Sequence, residues 1–437
     1  MWFRKKRAAN DELAHPPDPF LALRFRDYRL FVLARVFLFI GFQIRNIAVG
    51  WELYERTGSA LALGGVGLVQ VVPVMVLTLF AGHLADRSDR KRIMLLTTLV
   101  MGLSSLGLAV LSYTQGAIPL VYACLFVTGI ARAFNKPAAD ALGWELVPTH
   151  AYTNAATWNS SSFQLAAVFG PALGGLAIAA QGKATAAYLL AATSALLCFS
   201  LVAIMRDHST TRSTEPLSVK ALSAGAKFVR QNQLILAAIA LDLFAVLLGG
   251  AVALLPIYAK DILKVGPVEL GWLQAAPSIG ALLMAAVLTY LPPFRKAGQA
   301  LLWSVVGFGV VTIIFGFSRW FWLSLLMLAL SGALDNISVV IRHTLVQIRT
   351  PNELRGRVAA INGVFISASN ELGAFESGLA AALLGPVLAV VSGGVGTIAV
   401  VIATALIFPN LRKLGALHEY TSSSTSPSEP DTGNQPA

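Results

Sequence analysis

The sequence predicts an all-α polytopic membrane protein whose twelve transmembrane helices form two pseudo-symmetric six-helix bundles. Three observations carry this expectation. First, 56% of the 437 residues are hydrophobic and only 13% charged, against about 25% charged in a soluble domain, and mean hydropathy is +0.69. Second, the apolar residues fall in long unbroken runs. A span takes about 20 residues, so twelve spans take roughly 240, close to the whole apolar complement of the chain. Third, the second half repeats the first at a nearly constant offset. These features argue against a soluble enzyme, a single-span receptor and a large extramembrane domain. A β-barrel is disfavoured as well, since its strands alternate polar and apolar residues.

The elements follow in order. Residues 1–29 are polar, Pro-containing and strongly basic, which reads as a cytoplasmic segment without a signal peptide. Spans are expected at 30–53, 61–85, 93–113, 117–137, 155–179 and 184–204, giving a first bundle over 30–205. A cytoplasmic linker, 206–232, holds a surface helix near 217–229. Further spans at 233–257, 269–291, 299–317, 320–342, 358–381 and 385–408 build a second bundle over 233–409. The tail, 410–437, is rich in Ser, Thr and Pro and is expected to be disordered.

Net charge is +11, but nothing points to nucleic acid, because basic residues collect in the cytoplasmic loops of membrane proteins. If the N-terminus is inside, 26 of the 33 basic residues belong to cytoplasmic segments or, as Arg132, Lys136 and Arg342, to the inner ends of spans four and ten, and 5 to outer loops, while Arg35 and Arg45 lie within span one. Both termini are therefore expected to face the cytoplasm, in a protein integral to the inner membrane. Cys124 and Cys198 sit in apolar runs and suggest no disulfide. The six histidines are scattered, with no metal-ligand spacing, and no P-loop is present. No cofactor, metal or catalytic residue is expected; a monomer is.

Tyr54, Gly67, Gln70 and Pro73 recur 204 residues later as Tyr258, Gly271, Gln274 and Pro277. Gly129, Pro148, Asn159, Gly170 and Gly175 recur 203 later as Gly332, Pro351, Asn362, Gly373 and Gly378. Six spans followed by six in the same orientation form a parallel repeat, which places a substrate site near the midplane between the halves.

Between spans two and three lies Gly82-His83-Leu84-Ala85-Asp86-Arg87-Ser88-Asp89-Arg90-Lys91-Arg92. A glycine permits close helix approach and the acid can accept from a helix N-terminus or an Arg; a plain positive-inside loop is the alternative. The block resembles the loop of the major facilitator superfamily, G-x-L-A-D-R-x-G-R-(K/R). Gly82, Leu84, Ala85, Asp86, Arg87, Arg90 and Lys91 match, and Asp89 stands where that pattern has Gly. In span five, Gly170-Pro171-Ala172-Leu173-Gly174-Gly175 resembles the superfamily's G-P-x-x-G-G antiporter motif, which implies export, with Ala166 in place of the upstream glycine. A simple packing seam explains the same glycines. The resemblance runs from Phe25 through the last span and is closest to the enterobactin-exporter branch. It implies a proton-coupled exporter of a small molecule such as a siderophore. An antibiotic or amphiphile pump or a lysolipid flippase is the alternative, and an integral membrane enzyme is the reading from another class.

Ionisable residues inside spans are costly and usually functional. Arg45 lies about 21 Å into span one, near the midplane; Arg35, close to the inner end, is expected to snorkel. Asp242 in span seven is either a proton-binding carboxyl or a buried partner for an Arg. Glu371 and Glu376 in span eleven differ by about 140° and 7.5 Å, so they form no acidic pair. Either can carry the coupling proton or make a helix–helix hydrogen bond, and Glu371, nearer the midplane and level with Arg45, is the first choice. Arg132 and Asp335, 203 residues apart at the inner ends of spans four and ten, form an inner-gate ion pair or pair within their own bundles. Leu125 stands where the superfamily's usual span-four Arg is expected. Gln43, Asn46, Gln70, Asn159, Gln274 and Asn362 are the candidates for polar contacts in a cavity.

Overall fold

Lipid offers backbone amides no water, so an apolar run of span length must satisfy them internally as a helix. In the computed structural model the described residues are 18–206, 227–292 and 294–415, without the side chains of Leu79, Asp86, Asn352, Glu353, Ala360, Val364 and Ser367. They include twelve long helices. The first half holds α1 Arg26–Thr57, α2 Ala60–Arg87, α3 Arg90–Thr114, α4 Ile118–Glu145, α5 Tyr152–Gln181 and α6 Thr185–Ile204. The second holds α7 Gln233–Leu248, α8 Pro267–Tyr290, α9 Ala297–Phe317, α10 Phe321–Arg349, α11 Asn352–Leu384 and α12 Pro386–Ile407. Eleven stretches are long and apolar enough to cross a membrane; α11, interrupted by Asn362, Asn370, Glu371 and Glu376, packs beside them against α2 and α7. The expected linker helix falls mostly, and the expected tail largely, outside the described residues.

Local chemistry sets the turns. Gly58 ends α1 at φ +59°, where an L side chain is strained, and Ser59 caps α2 by accepting from the Ala62 amide. Asp89 caps α3, accepting from the Lys91 and Arg92 amides at φ −63°, so the turn asks for no glycine there. Span seven departs from the expected continuous 233–257. Gly249 and Gly250 bring the backbone close to Phe308 of α9 and Gly373 of α11, and α7 stops at Leu248. A 3-10 turn, Ala251–Leu254, a short α segment, Leu255–Ile257, and a π turn, Tyr258–Ile262, follow. Two helices also outrun their apolar stretches by about two turns: α4 to Glu145 and α10 to Arg349.

The two halves pack alike. α1 lies on α5 and α6, α2 on α4, and α3 on α4 and α6; α7 lies on α11 and α12, α8 on α10, and α9 on α10 and α12. The repeated glycines make the equivalent contacts. Gly129 packs on Pro73 between α4 and α2, and Gly332 packs on Pro277 between α10 and α8. Between the halves, α2 runs against α11 and α5 against α8.

The apolar core is divided unevenly. Toward the side away from the termini, called the far side, one cluster draws on both bundles and includes Ile47, Leu53, Tyr188, Leu254, Tyr258 and Leu273. On the termini side the cores are separate: one around Tyr28, Phe31 and Met94, another around Leu241, Leu301 and Leu345. The bundles are joined on one half of their height and part on the other.

Two ion pairs staple helices within the bundles. Arg35 is 6% exposed, pairs with Asp140 of α4 at 3.2 Å and lies over the Phe39 ring. It does not snorkel, because the longer α4 brings Asp140 within reach. Asp242 of α7 pairs with Arg342 of α10, both nearly buried, so the structure selects the Arg-partner alternative for Asp242. Removing one member of a buried pair strands the other charge, at about 3–5 kcal/mol. Asp242→Ala, which strands the buried Arg342, is expected to lower the thermal unfolding midpoint of the purified protein clearly, and Arg35→Met, which leaves behind only the half-exposed Asp140, to lower it much less.

Candidate functional site

A cavity of about 710 Å³ lies at the seam of the two bundles. Helices α1, α2, α4 and α5 form one wall, and α7 to α11 with the broken turn after Leu248 form the other. Phe42, Phe163, Phe308 and Phe315 supply ring surface, and Asn46, Gln70, Gln274 and Asn370 supply amides. Four charged residues line it: Arg132, Lys136, Asp335 and Glu371.

Its centre is a contact between the bundles. Arg132 of α4 donates through Nη1 to Gln70 Oε1 of α2 at 3.0 Å and to Glu371 Oε1 of α11 at 3.2 Å. The Phe42 ring lies beneath the Arg132 guanidinium at 4.4 Å, and Arg45 faces the same ring at 5.3 Å. The negative ring faces ease the approach of two cations. Arg45 itself is 3% exposed. It donates to Thr128 Oγ1 at 3.5 Å, while its Nε and Nη2 find no hydrogen-bond acceptor.

The expected Arg132–Asp335 ion pair is not formed: Arg132 pairs with Glu371. The reason lies in packing: α2 lies on both α4 and α11, which brings Glu371 to Arg132. With α4 and α10 extending two turns past their apolar runs, Arg132 and Asp335 occupy the middle of their helices rather than the inner ends. Arg132, not Leu125, marks the centre of α4, and Leu125 is fully buried core. Glu371 faces Arg132 rather than Arg45, which is turned into the first bundle. Glu376 is half-buried and away from the cavity lining.

Among the amides, Asn46, Gln70 and Gln274 line the cavity and the other three do not. Gln43 is wedged against Gly170 between α1 and α5. Asn159 is half-buried away from the cavity, with Oδ1 unpaired, and Asn362 is 7% exposed within the bundle. Sequence position alone does not give a residue's direction around its helix.

On the far side the cavity is closed by backbone contact. A Cβ built on Gly378 of α11 would lie 2.5 Å from the Gly64 Cα of α2, and one on Gly175 of α5 would overlap the Pro267 carbonyl oxygen of α8. Gly271 of α8 meets the Pro171 carbonyl in the same seam. The block Gly170, Pro171, Gly174 and Gly175 is thus two-sided. Gly170 and Gly174 seat α5 on α1, while Pro171 and Gly175 seat it on α8. Polar contacts add a latch that sequence reading did not single out. The Tyr54 hydroxyl donates to Asp261, and Lys260 pairs with Glu55 at 3.7 Å over the Trp51 ring. All come from the end of α1 and the π turn. On the termini side, Lys136 and Asn370 of the cavity wall are exposed, so solvent reaches the cavity from there.

The motif between α2 and α3 knits the first bundle together. Arg90 pairs with Glu145 at the end of α4 and donates to the Ala85 carbonyl at 3.2 Å; Lys91 reaches the Met205 carbonyl after α6 at 2.6 Å. Gly82 and Arg87 lie in the last turns of α2, Arg87 exposed. The Asp86 side chain lies outside the described residues.

Comparison with known proteins agrees with this architecture. The family model described as transmembrane secretion effector matches residues 18–431. The chain belongs to this family. It is a multi-pass membrane transporter of the major facilitator superfamily and not an enzyme. The multidrug efflux pump Tap of Mycolicibacterium fortuitum is 28% identical over 77% of this chain and 84% of its own length. Macrolide efflux protein A of Streptococcus pyogenes is 25% identical, over 78% and 86%. The enterobactin exporter EntS of Shigella boydii is 26% identical, over 88% and 92%. Among solved structures, a bacterial homologue of the human lysosomal transporter Spinster superimposes with a TM-score of 0.70 at 13% identity, covering 92% of this chain and 98% of that one.

The glycine seam makes far-side closure sensitive to a single methyl group. Gly378→Ala is expected to disfavour the closed far side by one to two kcal/mol, roughly tenfold in population. Spin labels at the exposed positions Thr57 and Lys264 would report this as a new long-distance component. An unchanged distance distribution would show that the seam does not control closure.

Proposed function

We propose that the protein exports a bulky amphiphilic small molecule from the cytoplasm by alternating access, driven by the proton gradient. The observation that carries this is a cavity of about 710 Å³ between the bundles, closed on the far side and crossed by the Arg132–Glu371 pair. Its size is that of a drug-sized ligand site, and its rings and amides suit a ring-bearing solute. The weighting of basic residues toward the side of the termini supports a cytoplasmic placement of both. On that orientation the described conformation loads from the cytoplasm.

Relatives named as multidrug, macrolide and enterobactin exporters support outward transport. They favour a siderophore and an antibiotic-like amphiphile equally. Deleting the gene and measuring both secreted catecholate and macrolide susceptibility separates the two. Loss of secretion points to the siderophore, and sensitisation alone to the amphiphile. No change in either is evidence against export of these classes.

Glu371 is the coupling carboxyl in this reading. Deprotonated, it holds Arg132 across the seam; protonated, it releases Arg132 and frees α11 to move against α4. The pair is only partly buried, so proton exchange with the cavity is direct. Glu371→Gln removes the negative charge permanently. In proteoliposomes, concentrative export under a pH gradient should fall to background while downhill exchange continues. A mutant that still accumulates substrate against its gradient would move the coupling role elsewhere.

A further inference from the structure

The cavity holds a charge that the Arg132–Glu371 pair leaves unmatched. Asp335 stands at the middle of α10 and lines the cavity wall. Among the described residues it makes no ion pair or hydrogen bond. Arg342, two turns along the same helix, is taken by Asp242. Behind Asp335 a chamber of about 20 Å³ opens into the second bundle between α7, α9 and α10, room for about one water. Asp242, Ser304 and Ser338 form its walls. Ser338 is 3% exposed and has no hydrogen-bond partner among the described residues. Val246, Phe308 and Asp335 line chamber and cavity alike.

The charge balance of this half is simple. Asp242 and Arg342 cancel. His343 adjoins Arg342; α9 and α12 carry no titratable group, and α8 has its acid, Glu269, in the first turn, at the far-side end. On α11, Glu371 is engaged by Arg132. Asp335 is thus a carboxylate within a membrane-spanning helix with no ion-pair partner among the described residues, where isolated charge is costly. Lys136, the cation of the wall that makes no ion pair among the described residues, is exposed at the mouth, where water and salt screen it. Phe308, beside Asp335, offers a ring face that attracts onium groups.

We propose that Asp335 is the recognition carboxylate of the cavity, and that the transported class is a bulky lipophilic monocation, an ammonium or phosphonium bearing aromatic rings. This deepens the export reading and rests on it. The ion pair forms only when substrate brings the positive charge, so a cation is selected over a neutral or anionic solute of equal size.

The test uses the full chain in lipid nanodiscs and two probes: the permanent cation tetraphenylphosphonium and the neutral triphenylphosphine oxide. Wild-type protein should bind the cation more tightly than the neutral probe. Asp335→Asn should weaken the cation at least about tenfold, as loss of a desolvated charge partner does, and change the neutral probe less than twofold. Asp335→Glu should restore most of the cation affinity, a rescue that a purely structural role does not produce. Equal weakening of both probes by Asp335→Asn, or none, overturns the proposal. Wild-type protein that binds only the neutral probe overturns it while leaving the export reading intact; binding of neither probe counts against both.

Discussion

The two bundles share one apolar core over only half of their height, and the remainder of the structure follows from that. Packing free energy grows with buried contact, so the glycine seams of α2 with α11 and α5 with α8 close the far side tightly. The termini side keeps two separate cores and parts. A cavity is the geometric consequence: two rigid bundles that meet at one end of a seam diverge at the other. Because each bundle is stapled internally, by Arg35 with Asp140 and by Asp242 with Arg342, the seam is where the molecule can change shape.

Charge is distributed unequally across that seam. The first bundle contributes Arg45 and Arg132 at mid-depth, and the second contributes Asp335 and Glu371. The repeat that makes the helices equivalent does not make the charges equivalent: Arg132 and Asp335 occupy the same repeat position with opposite sign. One carboxylate is matched across the seam and the other is left to the cavity. On the proposed reading, protonation and substrate binding act on different residues within one chamber.

Much of the fold was legible because lipid imposes a one-dimensional rule. Unbroken apolar runs must be helices, and a constant offset of 203 to 204 residues must mean two like-oriented bundles. Asn46, Gln70 and Gln274 were legible as cavity amides for the same reason, being polar groups at mid-depth. Where sequence reading fell short, the cause was length or direction. Apolar runs under-measure α4 and α10, whose last two turns are polar yet helical, so Arg132 and Asp335 read as span ends although they stand at the middle of their helices. Gln43, Asn159 and Asn362 do not line the cavity, since a helix in a bundle buries more than one face.

From the sequence alone came the class, the number of helices and the parallel repeat, because composition and periodicity are local properties that bilayer solvation converts directly into structure. Only the tertiary structure decided the partners: Glu371 for Arg132, Arg342 for Asp242, the π turn for the end of α1, and none among the described residues for Asp335. Those pairings join residues up to 239 apart, and they depend on helix rotation within each bundle and on how far the bundles close. Both are set by side-chain packing between helices, which no pattern within a single span records.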